Sequence, residues 1–367
     1  MTSRDILQKF HFGIPTQPHN VIDITDPEKD LDDEQKFLLM TSLAEAGIIN
    51  IKAVVANLEP PVQRALLAKG TFNSLGHNEI PVGIGTDCFK GGQNPKHETE
   101  VSYLAETSEV IDGYQLLVST LETAEDNSII LMLNSGLTDA AQLLRLHTNL
   151  FVQKIANVTI MGGFKAATPT TPLLQDGLLI PDDAANNSFD PEAADYLYKN
   201  LQRLSVPMTV IMRSACYAAQ FDIHLYDKFA ATNHNVGRAL KKRQKDSLQQ
   251  LWQAALSPEG SPVRGKLPMS RDRKWFTDVF CDKQDPGIGL EDEIWPFVGK
   301  YNQYDPMAVI AALPELREHF FESIKVVVGD AIHLVIGLSP QTTGIKNKES
   351  LVSFMTQMEL AVLQATH

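Results

Sequence analysis

Five aspartates lie close together near the start of the chain, where an apolar run meets the first helix-like pattern. The segment reads VIDITDPEKDLDDE and spans residues 21–34. Acidic residues at a helix start accept free backbone N–H groups and suit the helix dipole, which accounts for one or two of them. The others repel one another, and hard oxygen ligands of this kind suit Ca²⁺ or Mg²⁺. Helix capping and a cation site are therefore both open interpretations of this loop.

Polar residues also follow the later apolar runs. Asn57 follows Val54-Val-Ala, Asn134 follows Leu131-Met-Leu, and Met161-Gly-Gly leads into a loop that reaches Asn186. Further along, Tyr304-Asp305-Pro opens an apolar helix-like segment. Open α/β sheets bind ligands beyond the carboxyl ends of their strands, so this placement predicts a binding site.

These residues need a sheet to bring them together, and the sequence predicts one. Nearly all-apolar runs predict buried strands, namely at 20–23, 51–56, 80–82, 128–134, 158–161 and 206–212. Amphipathic segments predict the helices between them, namely at 33–46, 62–75, 109–125, 137–146 and 191–201. The alternation predicts an α/β fold: a doubly wound, mainly parallel sheet with helices on both faces. An antiparallel hairpin at 323–328 and 332–336 would finish it.

We expect one domain over residues 1–367, with 226–299 as a mostly helical insertion over the active site. That segment departs from the strand–helix rhythm, and its basic run at 238–245 is typical of a solvated helix face.

Composition excludes several classes of function. Lys and Arg number 32 against 45 Asp and Glu, a net charge of −13, which disfavours nucleic-acid binding and anionic membranes. The longest apolar stretches are too short or too polar to span a bilayer. Cys88, Cys216 and Cys281 are far apart and suit reduced thiols, so we expect a cytoplasmic protein.

Taken in order, six segments of the chain resemble motifs of the nucleoside hydrolases, the inosine–uridine-preferring ribohydrolase family. The resemblance runs from Val21 to Leu313 and is specific because the pieces share order and spacing. The segments are 23–33, 54–57, 131–139, 160–163, 186–194 and 304–313.

The resemblance implies a Ca²⁺ ion whose bound water attacks the anomeric carbon of a nucleoside or related N-riboside. Implied metal ligands are Asp26, Asp33, the carbonyl of Asn134, and Asp305. Asp26 would deprotonate the water, and Tyr304 stands where the family keeps the histidine that protonates the leaving base. Asp32, Asn57, Asn186 and Asp305 match substrate-binding positions. The resemblance also implies a homo-oligomer and a role in purine or pyrimidine salvage.

The chain departs from the family pattern at three places. The first loop has two extra residues, so Asp30 competes for a ligand role. Ala184 replaces the glutamate that contacts the 5′-hydroxyl. Two interpretations are open: Asp182 or Asp183 substitutes for it, or the 5′ end of the substrate is different or absent. Tyrosine has an ordinary pKa near ~10, so Tyr304 is a weak acid.

Residues in and just after the insertion offer other ways to meet the leaving base or an anionic group. One way is to stack the leaving base on an aromatic ring. Packing within the protein is the plainer interpretation of these rings. The candidates are Trp252, Trp275 and Tyr301 for stacking and Arg271 and Arg273 for an anion, for which a surface salt bridge is the plainer interpretation.

Two hypotheses follow. The first is a Ca²⁺-dependent N-ribohydrolase with an altered leaving-group and 5′ pocket. The second is a Ca²⁺-containing, catalytically weak or inactive ligand-binding protein on the same scaffold.

Overall fold

A nine-stranded sheet forms the centre of the fold in a computed structural model, which describes residues 1–27, 31–88, 101–265 and 267–365. Its spatial order is β14-β15-β11-β6-β5-β1-β2-β3-β4. The strands are β1 (His19–Thr25), β2 (Ile49–Ala56), β3 (Val82–Ile84), β4 (Ile111–Asp112), β5 (Ile129–Leu133), β6 (Ile155–Gly162), β11 (Met208–Met212), β14 (Ile324–Val328) and β15 (Ala331–Ile336). All neighbours are parallel except β14 and β15, which form the predicted antiparallel hairpin.

The register brings the carboxyl ends of the central strands to one edge. Thr25 of β1 pairs with Ala56 of β2, and Ile24 of β1 pairs with Leu133 of β5. The residues that follow these strands therefore emerge side by side, as the sequence predicted.

Helices cover both faces of the sheet. In chain order, the described part of the protein contains the helices α1 (Ser3–Lys9), α2 (Asp32–Ala46), α3 (Pro61–Ser74), α4 (Gly113–Thr123), α5 (Thr138–Leu146), α6 (Thr148–Lys154), α7 (Ala185–Phe189), α8 (Pro191–Arg203), α9 (Arg213–Ala218), α10 (Leu225–Ala231), α11 (Asn235–Leu256), α12 (Arg273–Phe280), α13 (Asp305–Ala312), α14 (Pro314–Phe320) and α15 (Lys348–Ala365). Two 3₁₀ turns lie at Thr107–Glu109 and Trp295–Phe297. Ile22 and Ile24 of β1 join a core with α4, α5 and α8 on one face. Because side chains alternate along a strand, Asp23 and Thr25 face the opposite layer, where α2 packs with α13 and α15.

Short antiparallel pairs lie outside the main sheet. They are β7 (Ala166–Thr168) with β8 (Thr171–Pro172), β9 (Leu174–Gln175) with β10 (Leu178–Leu179), and β12 (Phe221–Asp222) with β13 (Lys300–Tyr301). The first two pairs fill the long connection after β6.

Contacts divide the chain into two compact units, Met1–Ala219 with Gln303–His367, and Gln220–Asn302. The second unit contains the whole range of the predicted insertion, and its regular structure consists of α10, α11, α12, a 3₁₀ turn and the pair β12 and β13. Its place over the active site stays a prediction.

Inside the second unit, the aromatic and basic candidates have structural partners. Trp252 is fully buried against Phe276. The Arg273 guanidinium forms a two-pronged ion pair with Asp285, as the salt-bridge interpretation predicted. Arg271 lies over the Trp275 ring, with 5.4 Å between the guanidinium carbon and the ring centroid.

Tyr301 of the same unit is also buried and packs against Tyr226. The stacking or anion-binding roles considered for these side chains stay predictions.

The predicted parallel sheet is confirmed, with boundary shifts of a few residues. The third strand runs from Val82 to Ile84, two residues later than predicted. The long helix α15 and the two-residue strand β4 were not predicted. All three cysteines are free and buried, and burial raises the pKa of the Cys88 thiol to about 12. Within the described residues, no helix combines the length and hydropathy that a bilayer crossing requires.

Candidate active site

A buried arginine holds the backbone of the loop that follows β1. The Arg64 guanidinium, on α3, donates hydrogen bonds to the carbonyls of Asp26 and Pro27 and to that of Glu59. Arg64 is fully buried, whereas the Asp26 residue retains 7% exposure. The guanidinium therefore fixes the backbone while the Asp26 carboxylate stays at the edge of the site. Asp30 lies outside the described residues.

A lysine lies at the centre of the acidic cluster. The Lys36 ammonium donates to Thr25 Oγ1 at 2.7 Å, to Asp33 Oδ1 at 3.2 Å and to Asp305 Oδ2 at 3.3 Å. A third carboxylate oxygen, Asp23 Oδ2, lies 3.2 Å from the ammonium in an ion pair. Lys36 and Asp23 are both fully buried. These residues come from β1, α2 and α13, so the ammonium holds three elements together.

Burial and the neighbouring charges act in opposite directions on this cluster. Burial alone would lower the pKa of Lys36, but Asp23, Asp305 and Asp33 together raise it well above its usual value, so the amine is charged. Burial raises the pKa of Asp23, against the effect of Lys36. The pKa of Asp305 is also raised, first by burial and then by repulsion from Asp33.

Asp32 connects the first loop to the late Tyr-Asp-Pro motif. Its Oδ2 accepts the backbone N–H of Tyr304 at 2.8 Å and that of Asp305 at 3.2 Å. These amides lie at the beginning of α13, where free N–H groups attract a carboxylate. Residues more than 270 positions apart thus meet at one edge of the sheet.

Tyr304 is partly buried beside a second tyrosine. Its ring lies edge-on to that of Tyr217, with 6.1 Å between centroids. Burial and then the neighbouring Tyr217 raise the pKa of the Tyr304 phenol far above its ordinary value. The phenol is therefore a hydrogen-bonding group and an aromatic surface, and a poor acid near neutral pH.

Asn57 is fully buried, and all its polar atoms are engaged. Its amide nitrogen donates to Gly136 O at 2.9 Å and to Asp139 Oδ2 at 2.7 Å, and its Oδ1 accepts from the Ser135 hydroxyl. In this arrangement Asn57 supports the loop after β5, and its predicted contact with the sugar would require these bonds to rearrange.

Asn134 directly follows β5, and Asn186 contacts the end of β6 from α7. Asn134 donates its amide to Asp23 Oδ1 at 2.7 Å, which orients that buried carboxylate. Asn186, on α7, is partly exposed and donates to the carbonyl of Met161 at the end of β6. The carbonyl role of Asn134 and the substrate role of Asn186 stay predictions.

The region around Ala184 contains the two acidic substitutes considered for the missing glutamate. Asp182 accepts the Ala184 N–H at 2.9 Å and an amide hydrogen of Asn187 at 3.1 Å. Burial raises the pKa of Asp182. Asp183 is exposed and pairs with Arg213 at 2.7 Å. Arg213 thus adds a positive group near this position, which the sequence alone did not indicate.

The donor set does not fit a calcium ion as it stands. Calcium takes six to eight oxygens at about 2.3–2.6 Å. Here Asp33 Oδ1 already accepts from Thr25, Lys36 and the Asp26 N–H, and Asp32 Oδ2 accepts two backbone N–H groups. Within the described ranges, which omit residues 28–30, no group of three His, Cys, Asp or Glu is arranged to hold a metal.

The sequence analysis assigned no role to three side chains of the candidate site: Lys36, Arg64 and Asp139. Lys36 lies three residues after Asp33, one turn along the same helix, and just before the apolar run FLLM. The signal in the sequence was a single lysine within a helix that the apolar pattern predicts to be buried, because such a lysine needs charged partners. Arg64 and Asp139 carried no such signal because each acts on a loop distant in sequence.

Comparison with known proteins shows to which family the chain is similar. The sequence model of the inosine-uridine preferring nucleoside hydrolase family matches residues 22–359. A nucleoside hydrolase of that description from Leishmania major is 28% identical over 180 residues, 46% of this chain and 56% of that protein. The matched part therefore spans little more than half the length of this relative.

Two solved structures extend the comparison to the whole fold. The type III effector protein XopQ, solved in complex with adenosine diphosphate ribose, is 27% identical, covers 98% of both chains and has a TM-score of 0.81. A purine-preferring ribonucleoside hydrolase from Gardnerella vaginalis is 14% identical over 94% of this chain and 99% of its own, with a TM-score of 0.57. At that identity the second likeness concerns the fold alone.

Proposed function

Because the chain belongs to the inosine-uridine preferring nucleoside hydrolase family, we propose that it hydrolyses the N-glycosyl bond of a riboside. The observation that carries the proposal is the meeting of the beginning of α2 with the beginning of α13, through the hydrogen bonds that the backbone N–H groups of Tyr304 and Asp305 donate to Asp32. The acidic ends of two distant segments thereby form one anionic site.

The proposed reaction needs a base and a negative environment. A water molecule held by Asp26 attacks the anomeric carbon, and its proton passes to the carboxylate. The bond from that carbon to the base nitrogen breaks, and the base leaves with the bonding electron pair and takes a proton from solvent. The sugar gains oxocarbenium character as the bond breaks, and the surrounding carboxylates stabilise that positive charge. Asp32, Asn186 and, after rearrangement, Asn57 are the proposed partners of the ribose hydroxyls.

Calcium dependence is implied by the family resemblance. The Lys36 ammonium lies among the residues that the resemblance implies as ligands, so no step of the proposed reaction is derived through the ion. Comparing activity with chelator and with added Ca²⁺ tests this part of the proposal separately.

The substrate proposed for the first test is a nucleotide with a ribose, since XopQ was solved with adenosine diphosphate ribose. Purine and pyrimidine nucleosides, AMP and ADP-ribose form the panel. Base release is followed by chromatography, because ADP-ribose already carries a reducing end and a reducing-sugar assay would be obscured. Release of free base that is lost in Asp26→Asn supports the proposal.

The matched control is Asp126→Asn, the same change at an exposed carboxylate that precedes β5 at the opposite end of the strand. It should retain full activity. No release from any member of the panel by the folded wild-type protein would contradict the hydrolase proposal.

A second candidate function is riboside binding without rapid turnover. It is favoured by Tyr304, whose raised pKa makes it a poor donor to the leaving base. Calorimetric titration with ADP-ribose separates the two candidates, because saturable binding without base release would support the second.

A further inference from the structure

We infer that the Lys36 ammonium is a built-in cation that takes the place of a divalent metal ion in this site. The inference concerns the same site as the proposed function and deepens it, but its test measures metal binding and does not depend on turnover. It rests on the position, the contacts and the burial of one side chain.

The position of Lys36 follows from helix geometry. Asp33 and Lys36 are three residues apart on α2, so their side chains extend from the same face of the helix. That face packs on the carboxyl end of β1, where Asp23 and Thr25 face it, and on α13, which provides Asp305. The Lys36 side chain is long enough for its ammonium to lie among the carboxylates of these residues.

The contacts leave the ammonium with no free donor. An ammonium has three N–H groups and no acceptor, and its three hydrogen bonds go to Thr25, Asp33 and Asp305. The fourth neighbour, Asp23 Oδ2, lies at 3.2 Å and shares these N–H groups as a further hydrogen-bond and charge partner. A bound water would have no N–H left to accept, so Lys36 supplies charge to this site and not a water nucleophile.

Burial prevents the lysine from leaving easily. Lys36 is fully buried, and thirteen of the fifteen residues of α2, Lys36 included, are buried. For a calcium ion to take the centre, the ammonium would have to move into an apolar layer without its carboxylates. A buried charge that loses its partners is strongly unfavourable, so the ion and the ammonium exclude each other.

The charges of the described carboxylates agree with one positive charge that is carried by a side chain. Asp23, Asp33 and Asp305 lie around the ammonium, and buried like charges need positive charge nearby. Lys36 is the cation that the structure places within 3.3 Å of these three carboxylates.

The test is calcium binding by the intact protein, measured by calorimetry with CaCl₂ after chelator treatment and gel filtration. Wild-type protein should show no saturable binding up to about 1 mM, the weak end of protein calcium sites. Its melting temperature should be the same with chelator and with calcium. The Lys36→Met variant loses the charge but keeps the length of the side chain, and it should gain one calcium ion per chain.

Lys69→Met is the matched control. Lys69 is also a buried lysine, on α3, but its ammonium donates to the carbonyls of Asn78 and Ile80 and lies apart from the acidic cluster. This variant should be destabilised without gaining calcium. If Lys36→Met unfolds when metal-free, refolding on addition of Ca²⁺ supports the inference, and Lys36→Gln provides a milder second variant.

One tightly bound calcium per wild-type chain would overturn the inference, because the ion would then coexist with Lys36 or displace it. Folded Lys36→Met and Lys36→Gln proteins that gain no calcium would overturn it as well. Neither result depends on whether the protein hydrolyses a riboside.

Discussion

At the scale of single residues, two buried cations organise the acidic site in different ways. Lys36 neutralises carboxylate side chains, whereas Arg64 binds backbone carbonyls of the loop that carries Asp26. A planar guanidinium can reach several carbonyls at once, and a lysine cannot copy that geometry. Arg64 is thus a positioning residue for Asp26.

Replacing Arg64 with Met should therefore affect both stability and ligand binding. We expect a loss of about 2–3 kcal/mol in the free energy of unfolding, since a charged donor to several buried carbonyls is removed. We also expect affinity for ADP-ribose to fall at least tenfold because the Asp26 loop loses its anchor. Denaturant unfolding and calorimetry measure the two effects.

Lys69→Met supplies the comparison on the same helix, because it removes a carbonyl-bound cation that does not touch this loop. It should destabilise the protein while leaving the ADP-ribose affinity within about twofold. Equal losses of affinity in the two variants would assign Arg64 a general structural role.

Tyr304 gives a second prediction at this scale. General acid catalysis typically contributes ~10²–10⁴-fold, but the raised pKa of this phenol disfavours proton donation. Tyr304→Phe should therefore slow base release by less than about tenfold, and equally for good and poor leaving groups. A loss of ~10²-fold or more, confined to poor leaving groups, would show that Tyr304 is the acid.

At the scale of elements, the structure reverses one expectation from helix propensity. Gly70 lies inside α3, where alanine would ordinarily stabilise a helix by about 1 kcal/mol. A Cβ at this position would lie 1.9 Å from the carbonyl oxygen of Tyr103. The backbone of the segment before η1, the 3₁₀ turn at Thr107–Glu109, thus packs directly on this glycine.

Gly70→Ala should consequently lower the free energy of unfolding by about 2 kcal/mol, as overpacking of a tight contact does. Urea unfolding measures the change. Gly13→Ala is the control, because no atom lies within 4 Å of a Cβ built there. A stabilised Gly70→Ala protein would show that the two segments separate easily.

Strand β15 carries a titratable group that makes the sheet sensitive to acid. His333 is fully buried and accepts the N–H of Met208 through Nδ1 at 3.2 Å. Burial lowers the pKa of His333 to about 4, below its unfolded value near ~6.5. The unfolded chain therefore binds a proton between these pH values when the folded one does not, so this contribution to stability rises with pH.

The expected size of this effect follows from the two pKa values. Between pH 7.5 and pH 5, His333 should reduce the free energy of unfolding by about 2 kcal/mol, and the loss should be complete below about pH 4. His333→Gln keeps an acceptor for the N–H of Met208. Between pH 7.5 and pH 5, its free energy of unfolding should fall by about 2 kcal/mol less than that of the wild type. Parallel pH profiles of the two proteins would contradict the assignment.

At the scale of the whole molecule, the parallel sheet decides which residues meet. Asp32 and Tyr304 are far apart in sequence, yet the beginnings of α2 and α13 bring them within a hydrogen bond. A cleft also opens at the opposite edge, lined by Ser128 and Pro207 before β5 and β11, but it lies away from the acidic cluster.

Association of chains stays a prediction from the family resemblance. Size-exclusion chromatography with light scattering should give a mass that is a multiple of the 40.6 kDa chain. A single species at 40.6 kDa over the concentration range of the activity assay would contradict the predicted homo-oligomer.

The sequence by itself determined the α/β architecture, because buried parallel strands are apolar throughout and their helices repeat every three to four residues. It also placed Asp26, Asp32, Asp33 and Asp305 at one edge, through motifs whose order matches a known family. Tertiary structure alone decided what those carboxylates contact. Lys36 reaches the cluster, Asn57 turns to Asp139, and Arg64 fixes a loop from another helix. Spacing along the chain determines which face of an element a side chain occupies. Only packing between elements determines which charge it meets there.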